Sequence, residues 1–489
     1  MAVADRAHGY VTEVTYPFHY YRELNPHIQA LTLTLAGVTP PLKDGRFTYI
    51  ELGCGLGLAT LVHAAANPDA RFIATDIIPE HIAIAGGIAK QAGLDNVEFL
   101  EQSFEDLAGA GLPKCDFVTM HGVWSWINDL NRDLILKFVD RNLNPGGAMY
   151  VSYNAQPGHG AIMALREAMM VAYRGTEGRV EHKVEAALLY GHKLRQLNAK
   201  YFQANPLVGK YLDDITPLAP NYLAHEYFNA DWWPFFFRQV AAQVAPLGLT
   251  FGTSAHVMDS LESALVDADM RTELNGLSNV TDRETIKDVL VNRQFRRDLF
   301  LRDAVALKDE AAAFDAMPFA SAVLPQNVER VVGPGGIAPE TDVARAIATI
   351  HLRGPASVAT MATQPECAAF SADRIRGSLL IMAALGAAEP ALPQATLDQR
   401  KARCGRLNEI LWDRAARGDD VSATAVPVTG GAVGLSKAEQ LFLLGRMRGQ
   451  DPVELVMKAI PGQERGGVQA ALETFTSTRI PLLRNLGVI

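Results

Sequence analysis

From Phe47 onward, short runs of β-branched and apolar residues alternate with stretches whose apolar positions recur every three or four residues. Phe47–Leu52, Arg71–Thr75, Val97–Leu100, Phe117–Met120 and Ala148–Tyr153 read as buried strands, and helical periodicity fills the spans near 58–66, 79–92 and 131–142. Strand and helix alternating in this way predict βαβ units, hence a parallel sheet with right-handed crossovers. Between Gln156 and Pro220 the strand pattern stops, and Arg, Lys and Glu recur at helical spacing. Asn221–Phe228 then reads as a strand, Trp233–Val244 as a helix and Leu249–Val257 as a last strand. The pattern predicts one sheet within residues 1–260, interrupted by a helical insertion near 155–220 and resumed behind it.

Ahead of the first strand, residues 1–45 carry a mixed helical pattern that Thr39-Pro40-Pro41 ends. Past residue 260 the texture is mostly helical, and the breaker cluster Gly333-Pro334-Gly335-Gly336 and the Pro390/Pro393 region mark joints. Mostly helical middle (261–390) and C-terminal (391–489) domains are expected, since 489 residues exceed what one core organises. Ser436-Lys437-Ala438-Glu439 has the pattern of a capping box opening a helix through about Met447.

Composition narrows the function classes. Apolar residues make up 48% of the chain and charged ones 20%, ordinary for a folded globular protein and against long disorder. A net charge of −9 lacks the basic footprint of a nonspecific nucleic-acid binder. The longest uncharged, mostly apolar run, Gly377 to Ala388, falls short of the ~20 residues a bilayer requires and reads as a buried helix. Met1–His8 has neither a basic nor an apolar leader segment, so no signal peptide is expected. Cys54, Cys115, Cys367 and Cys404 are scattered without a CxxC pair, which argues against disulfides and cysteine zinc sites and makes a reducing cytoplasm the simplest location.

The chemistry gathers at Tyr49-Ile50-Glu51-Leu52-Gly53-Cys54-Gly55-Leu56-Gly57, a strand running into glycines and then a helix. Gly53, Gly55 and Gly57 allow a tight turn and close approach of a ligand, while the helix N-terminus offers N–H groups. Nicotinamide enzymes share this architecture, but Leu58 stands where their third glycine belongs, and Glu51 is an awkward neighbour for a pyrophosphate. A carboxylate there suits a phosphate-free ligand with a cationic amino-acid end, which describes S-adenosylmethionine (SAM). Asp76, nineteen residues beyond Gly57, is placed to accept hydrogen bonds from both ribose hydroxyls, with Ile77 against the adenine face. Gln102-Ser103-Phe104 follows the third strand where the adenine edge is read, with Ser103 as the polar contact and Phe104 beside it.

Ligands of open α/β sheets bind outside the carboxyl ends of strands, so Met120-His121-Gly122-Val123-Trp124-Ser125-Trp126 is expected to face the methyl group. His121 and Val123 are expected beside the donor. His121 is also a candidate base, although a strand-end histidine equally serves as a backbone-bonding residue. Trp124 and Trp126 suit an aromatic wall for a cation, or else core packing. Tyr153-Asn154, at the end of the fifth strand, is placed to hydrogen-bond an acceptor amine or to cap the next loop. His182-x-x-Glu185 and His225-Glu226 lack a third ligand, so no metal is implied.

These segments together resemble a family. Glu51–Gly57, His121–Trp126, Val151-Ser152-Tyr153-Asn154 with Pro157-Gly158, Tyr222–Tyr227, Asn292–Asp298 and Ala415-Ala416-Arg417-Gly418 with Val421 are similar to SAM-dependent methyltransferases carrying a methyltransferase regulatory domain. Rickettsial lysine methyltransferases of outer-membrane proteins are among them. The resemblance implies a Rossmann-like, seven-stranded class I core, a helical insertion used for dimerisation, a protein lysine acceptor, and S-adenosylhomocysteine as product. His159 departs from the pattern, where a tryptophan is expected nearby. A small-molecule methyltransferase and a non-catalytic SAM-binding regulator stay open beside the lysine enzyme.

Overall fold

The computed structural model describes residues 18–42 and 45–489; the expectations placed on Met1–His8, and on residues 1–17 of the first helical pattern, lie outside them. The sheet has seven strands: β1 (Thr48–Leu52), β2 (Arg71–Asp76), β3 (Val97–Glu101), β4 (Cys115–Met120), β5 (Leu143–Asn154), β6 (Leu249–Ser254) and β7 (Phe295–Arg302). Their order is β3-β2-β1-β4-β5-β7-β6. β1 to β5 run parallel, and β7 is antiparallel to both β5 and β6. The parallel strands are those that the strand–helix alternation predicts, and the whole sheet is the class I methyltransferase fold that the resemblance implies.

The five parallel strands fall where expected because each is a short apolar run between breakers. Two differences concern the far edge. Asn221–Phe228 is not a strand: Pro220–Tyr227 forms a helix, with Pro220 in its first turn. Leu223, Ala224 and Phe228 bury together against Val184, Leu188 and Leu212, a spacing of about four where a strand needs two. The missing strand is β7, beyond the expected end at residue 260. Phe295-Arg296-Arg297-Asp298-Leu299-Phe300-Leu301-Arg302 alternates faces as a strand does, but four charged side chains hide the alternation.

Both faces of the sheet are covered, so odd and even positions along each strand enter different cores. Tyr49, Phe72, Phe117, Tyr150, Leu299 and Leu301 pack under helices Leu58–Ala66 and Pro79–Ala92. Ile50, Ile73, Val118, Val151, Tyr153 and Phe300 pack on the other side, under helices Asp129–Asn142 and Phe237–Val244. Between β5 and β6, helices Gly160–Gly175, Val180–Gln196, Pro206–Ile215 and Pro220–Tyr227 share a separate apolar cluster.

Helix Leu397–Arg417 lies on the outer side of the first core, where Cys404, Leu407 and Leu411 join Leu61, Val62 and Ile88. Arg403 donates to Asp95 at 2.9 Å, binding the helix to the turn before β3. Ser436 and Glu439 form the expected capping box, and the helix they open runs Lys437–Arg448. The apolar run from Gly377 lies in helix Ala372–Ala384 as far as Ala384, and its last residue, Ala388, opens the short strand Ala388–Pro390. Among the described residues, no helix is long and apolar enough to cross a membrane.

Arg296 holds β7 in place with every nitrogen used. Its Nε donates to Asp298 at 2.8 Å, Nη1 to Asp288 at 2.7 Å and Nη2 to Glu284 at 2.9 Å, all but closed off from solvent. Removing the cation strands three buried carboxyls. Arg296→Ala is therefore expected to destabilise the chain by about 3–5 kcal/mol, seen as a lower denaturant midpoint. Arg374→Ala, which breaks an exposed pair with Glu340, should leave that midpoint where it is. Equal midpoints for both variants would remove this role from Arg296.

Candidate functional site

At the carboxyl ends of β1, β2 and β4 the sheet opens into a cleft with about 1210 Å³ of empty space. Glu51, Gly53, Gly55, Gly57, Asp76, Ile77, Ser103, Phe104, His121 and Val123, the ten positions expected around the donor, all line it.

The glycines are required by shape as well as flexibility. Gly53, Gly55 and Gly57 have φ of +72°, +55° and +69°, the left-handed region. A Cβ on Gly53 would fall 2.7 Å from Val123, and one on Gly57 would fall 2.5 Å from Phe99. Gly53 and Cys54 donate their amides to the Thr75 carbonyl, at 2.8 and 3.0 Å, and Gly55 donates to Asp76 Oδ2 at 2.9 Å. Asp76 Oδ1 also accepts from Ile78 N at 2.9 Å and pairs with His81 at 3.1 Å. With three of a carboxylate's roughly four acceptor positions taken, Asp76 has room for one more donor instead of the two expected.

Glu51 is 4% exposed, and its Oε2 accepts from Thr60 on helix Leu58–Ala66. Burial raises the Glu51 carboxyl to about 7; the Thr60 hydroxyl opposes the shift and the Asp76 charge adds to it. After β3, the Ser103 hydroxyl donates to Asp106 at 2.7 Å, so it closes its own turn. Its neighbour Gln102, which also lines the cleft, keeps a buried Oε1 without a hydrogen-bond partner.

His121 sits at the centre of the cleft's far end. Its Nδ1 lies 2.8 Å from the Tyr150 hydroxyl, and its ring stacks on Tyr21 at 3.7 Å. Burial, then the charges of Arg297 and His19, hold its pKa well below the usual histidine range, so the imidazole is neutral. A group so weakly basic is a poor general base.

The other candidates at the strand ends separate. Trp126 lines the cleft and donates Nε1 to the Glu226 carbonyl at 2.9 Å. Trp124, expected in the same wall, is fully buried in the second core, its Nε1 3.2 Å from Gln243. Tyr153, one residue out of phase with Tyr150, points into that core and donates to Asp298 at 2.6 Å. Asn154 is tied through its backbone to Ser125 and Phe235 and does not line the cleft. His159 packs edge-on against Trp232 at 5.8 Å, so a tryptophan is nearby but comes from a distant part of the chain.

Residues that sequence reasoning did not place at the site also line the cleft: His19, Tyr21 and Asn131, with His225 and Glu226, which the sequence offered only as an incomplete metal pair. Helical spacing would have found one signal, since Tyr222 and Glu226 are four apart and share a helix face. Nothing local marks His19 and Tyr21. Among the described residues, no three His, Cys, Asp or Glu side chains gather as a metal site.

Comparison with known proteins agrees with this geometry. A methyltransferase-domain family model matches residues 43–201, and a predicted methyltransferase regulatory domain matches 219–302. A Synechocystis protein is 30% identical over 98% of this chain and 99% of its own length. A Rickettsia prowazekii protein is 25% identical over 61% of this chain and 53% of its own. The structure of PKMT2 from Rickettsia typhi in complex with AdoHcy shares the fold, with a TM-score of 0.71 at 17% identity, over 97% of this chain and 99% of that one.

The raised Glu51 carboxyl has a consequence for stability. Below pH 4.5, its ordinary value, the group is protonated folded or unfolded; above that, only the unfolded chain ionises, until the folded one follows at about 7. Relative to Glu51→Gln, the native protein should therefore lose up to about 3 kcal/mol as pH rises across that window, then level off. Denaturant midpoints that stay parallel between the two proteins from about pH 5 to 8 would contradict it.

Proposed function

Since the chain belongs to the SAM-dependent methyltransferases with a methyltransferase regulatory domain, we propose that it transfers methyl groups to lysine amines of a protein. The observation that carries the acceptor is the far end of the cleft, walled by the rings of His19, Tyr21, His121 and Trp126, with no Lys or Arg lining it among the described residues. Aromatic faces favour an amine that is positively charged after transfer. The family resemblance to lysine methylators supports the same acceptor.

The cleft suits SAM in three respects. Glu51, costly to ionise when buried, would be drawn into its charged form by the donor's ammonium group. The glycine turn leaves the backbone bare of side chains where the donor would rest. The buried Gln102 Oε1 offers an acceptor to an adenine amino group, in place of the Ser103 hydroxyl that Asp106 already engages. Asp76 would take one ribose hydroxyl, and Ile77 and Phe104 would cover the base. When bound, SAM supplies a methyl group on a sulfonium centre, activated for direct displacement.

The protein's own part is then positioning, because a displacement between two held reactants gains chiefly from orientation. His121 stays neutral and fixed by Tyr150 and Tyr21, a wall for the approaching amine. The acceptor must arrive as the neutral amine, and the ring-lined end favours that form by desolvation.

Asp76→Asn should weaken SAM binding at least about tenfold in calorimetry, the loss of a charged hydrogen bond of roughly 1.5–3 kcal/mol, while the protein still unfolds in one cooperative transition at a somewhat lower temperature, because the amide can no longer accept from both Gly55 and Ile78. Unchanged affinity would sink the ribose assignment. The acceptor is tested with methyl-tritiated SAM in an extract of the source cell, fractionated by size and mapped by peptide mass spectrometry. Label on lysine of protein is expected. Label confined to small molecules, or to oxygen, would replace the proposal with a small-molecule or oxygen methyltransferase, and no label at all would point to a SAM-binding regulator.

A further inference from the structure

We propose that Arg22 is a positioning residue for methyl transfer: bound to Glu389 and to the Ala383 carbonyl, it sets the Tyr21 ring on His121 and so holds the acceptor end of the cleft in shape. That the acceptor enters at this end rests on the reading above, to which Arg22 adds the group that keeps the end assembled.

Phe18, His19, Tyr20 and Tyr21 alternate in direction as the residues of a strand do. Phe18 is buried, forms an isolated parallel bridge with Val421 and lies under the Arg414 guanidinium at 5.4 Å. Tyr20 packs against the same core as Phe18. His19 and Tyr21, in the other phase, line the cleft. Tyr21 is extended, at φ −107° and ψ 117°, and the short helical turn Arg22–Leu24 begins directly behind it.

Two ion pairs fix that turn. Arg22 Nε donates to Glu389 Oε1 at 2.6 Å, and Nη2 donates to the Ala383 carbonyl at 2.7 Å, 367 and 361 residues further along the chain. Glu23 pairs with Arg297 of β7 at 3.4 Å. The Arg22 and Glu389 side chains are 23% and 15% exposed, so water screens their attraction only in part. One guanidinium donating to helix Ala372–Ala384 and to strand Ala388–Pro390 specifies a direction as well as a distance.

What the turn delivers is a face for His121. The Tyr150 hydroxyl lies 2.8 Å from Nδ1, and a ring held at one atom still turns about that bond. The Tyr21 ring, centred 3.7 Å away and 25° from parallel, removes that freedom. Displacement between two held reactants gains chiefly from orientation, so a shifted Tyr21 costs rate. Glu51 and Asp76, on β1 and β2, keep the donor regardless.

The test reads the His121 ring by NMR in the full chain, isotopically labelled on its histidine rings and saturated with S-adenosylhomocysteine. His121→Asn identifies the signal, and Tyr21→Leu shows where it moves without the stacked ring. Arg22→Gln should carry the signal most of the way to that position and lower the rate of methyl transfer at least about tenfold. Its affinity for S-adenosylhomocysteine should stay within about twofold of native, which certifies that the variant folds. Glu389→Gln should repeat this result from the other partner, and Arg22→Lys, which keeps the charge without the fork, should restore part of both readouts. Arg353→Gln, which breaks an exposed pair with Glu366, should change neither. The rate is the total tritium transferred from labelled SAM above the extract's own background, whatever the acceptor. Label found only on small molecules therefore sinks the lysine reading and leaves this inference standing. A His121 signal that Arg22→Gln leaves in place, an unchanged rate, or a donor affinity that falls as far as the rate overturns the inference. No label from the native protein overturns both.

Discussion

A strand covered on both faces must hand its successive side chains to two different cores, and the cleft depends on that constraint. On β5, Tyr150 and Ser152 face the cleft side, where one bonds His121 and the other accepts from the Gly122 amide at 2.9 Å. Val151 and Tyr153, between and beside them, go to the opposite core. On β1, Ile50 and Leu52 fill that same core while Glu51 turns the other way, towards Thr60. A slip of one residue in either strand would exchange every one of these partners. The register is therefore what makes a buried carboxyl and a neutral histidine available at one end of the sheet.

β7 applies the same rule to the regulatory segment. Its Phe295 ring stands 5.7 Å from His121, and Arg297 reaches Glu23 at 3.4 Å, next to the turn that carries Tyr21. Arg296 and Asp298 point the other way, into the buried ion cluster that holds the Tyr153 hydroxyl. The segment matched at 219–302 supplies both β6 and β7 and is thus built into the sheet beside β5 instead of being appended to it. Its helix lends Glu226 to the cleft and its strand lends Phe295 to the wall behind His121. Changes in the packing of this segment have a direct mechanical route to the far end of the site.

What the sequence disclosed were the features with local causes. The five parallel strands, the glycine turn, Glu51, Asp76 and the Ser436 capping box each rest on neighbours within a few residues, and all lie where those neighbours imply. Pro220–Tyr227 was ambiguous because Tyr222 and Tyr227 mimic a strand's composition, and only the burial of Leu223, Ala224 and Phe228 separates a period of four from a period of two. β7 was illegible because its inward charges are neutralised by Glu284 and Asp288, residues no one-dimensional pattern connects to it. Trp124 and Tyr153 could not be told from Trp126 and Tyr150, since proximity to a strand end says nothing about which face a side chain takes. His19 and Tyr21 enter from a segment whose only tie to the site is tertiary.

The charge arrangement explains why a weakly basic histidine belongs at the centre. Methyl transfer from a sulfonium to an amine creates no new charge; it moves one positive charge from sulfur to nitrogen. Glu51, once a bound cation draws it into its charged form, favours that charge at the donor end, and the rings of Tyr21 and Trp126 favour it at the far end. A protonated imidazole between them would repel it throughout, by about 4 kcal/mol for unit charges 4 Å apart in a medium of effective dielectric near 20. Burial removes that obstacle by holding His121 neutral, and the Tyr150 hydroxyl and the Tyr21 face keep the ring in position without charging it. For an amine acceptor, the residue that looked like a base in the sequence serves better by staying out of the proton transfer.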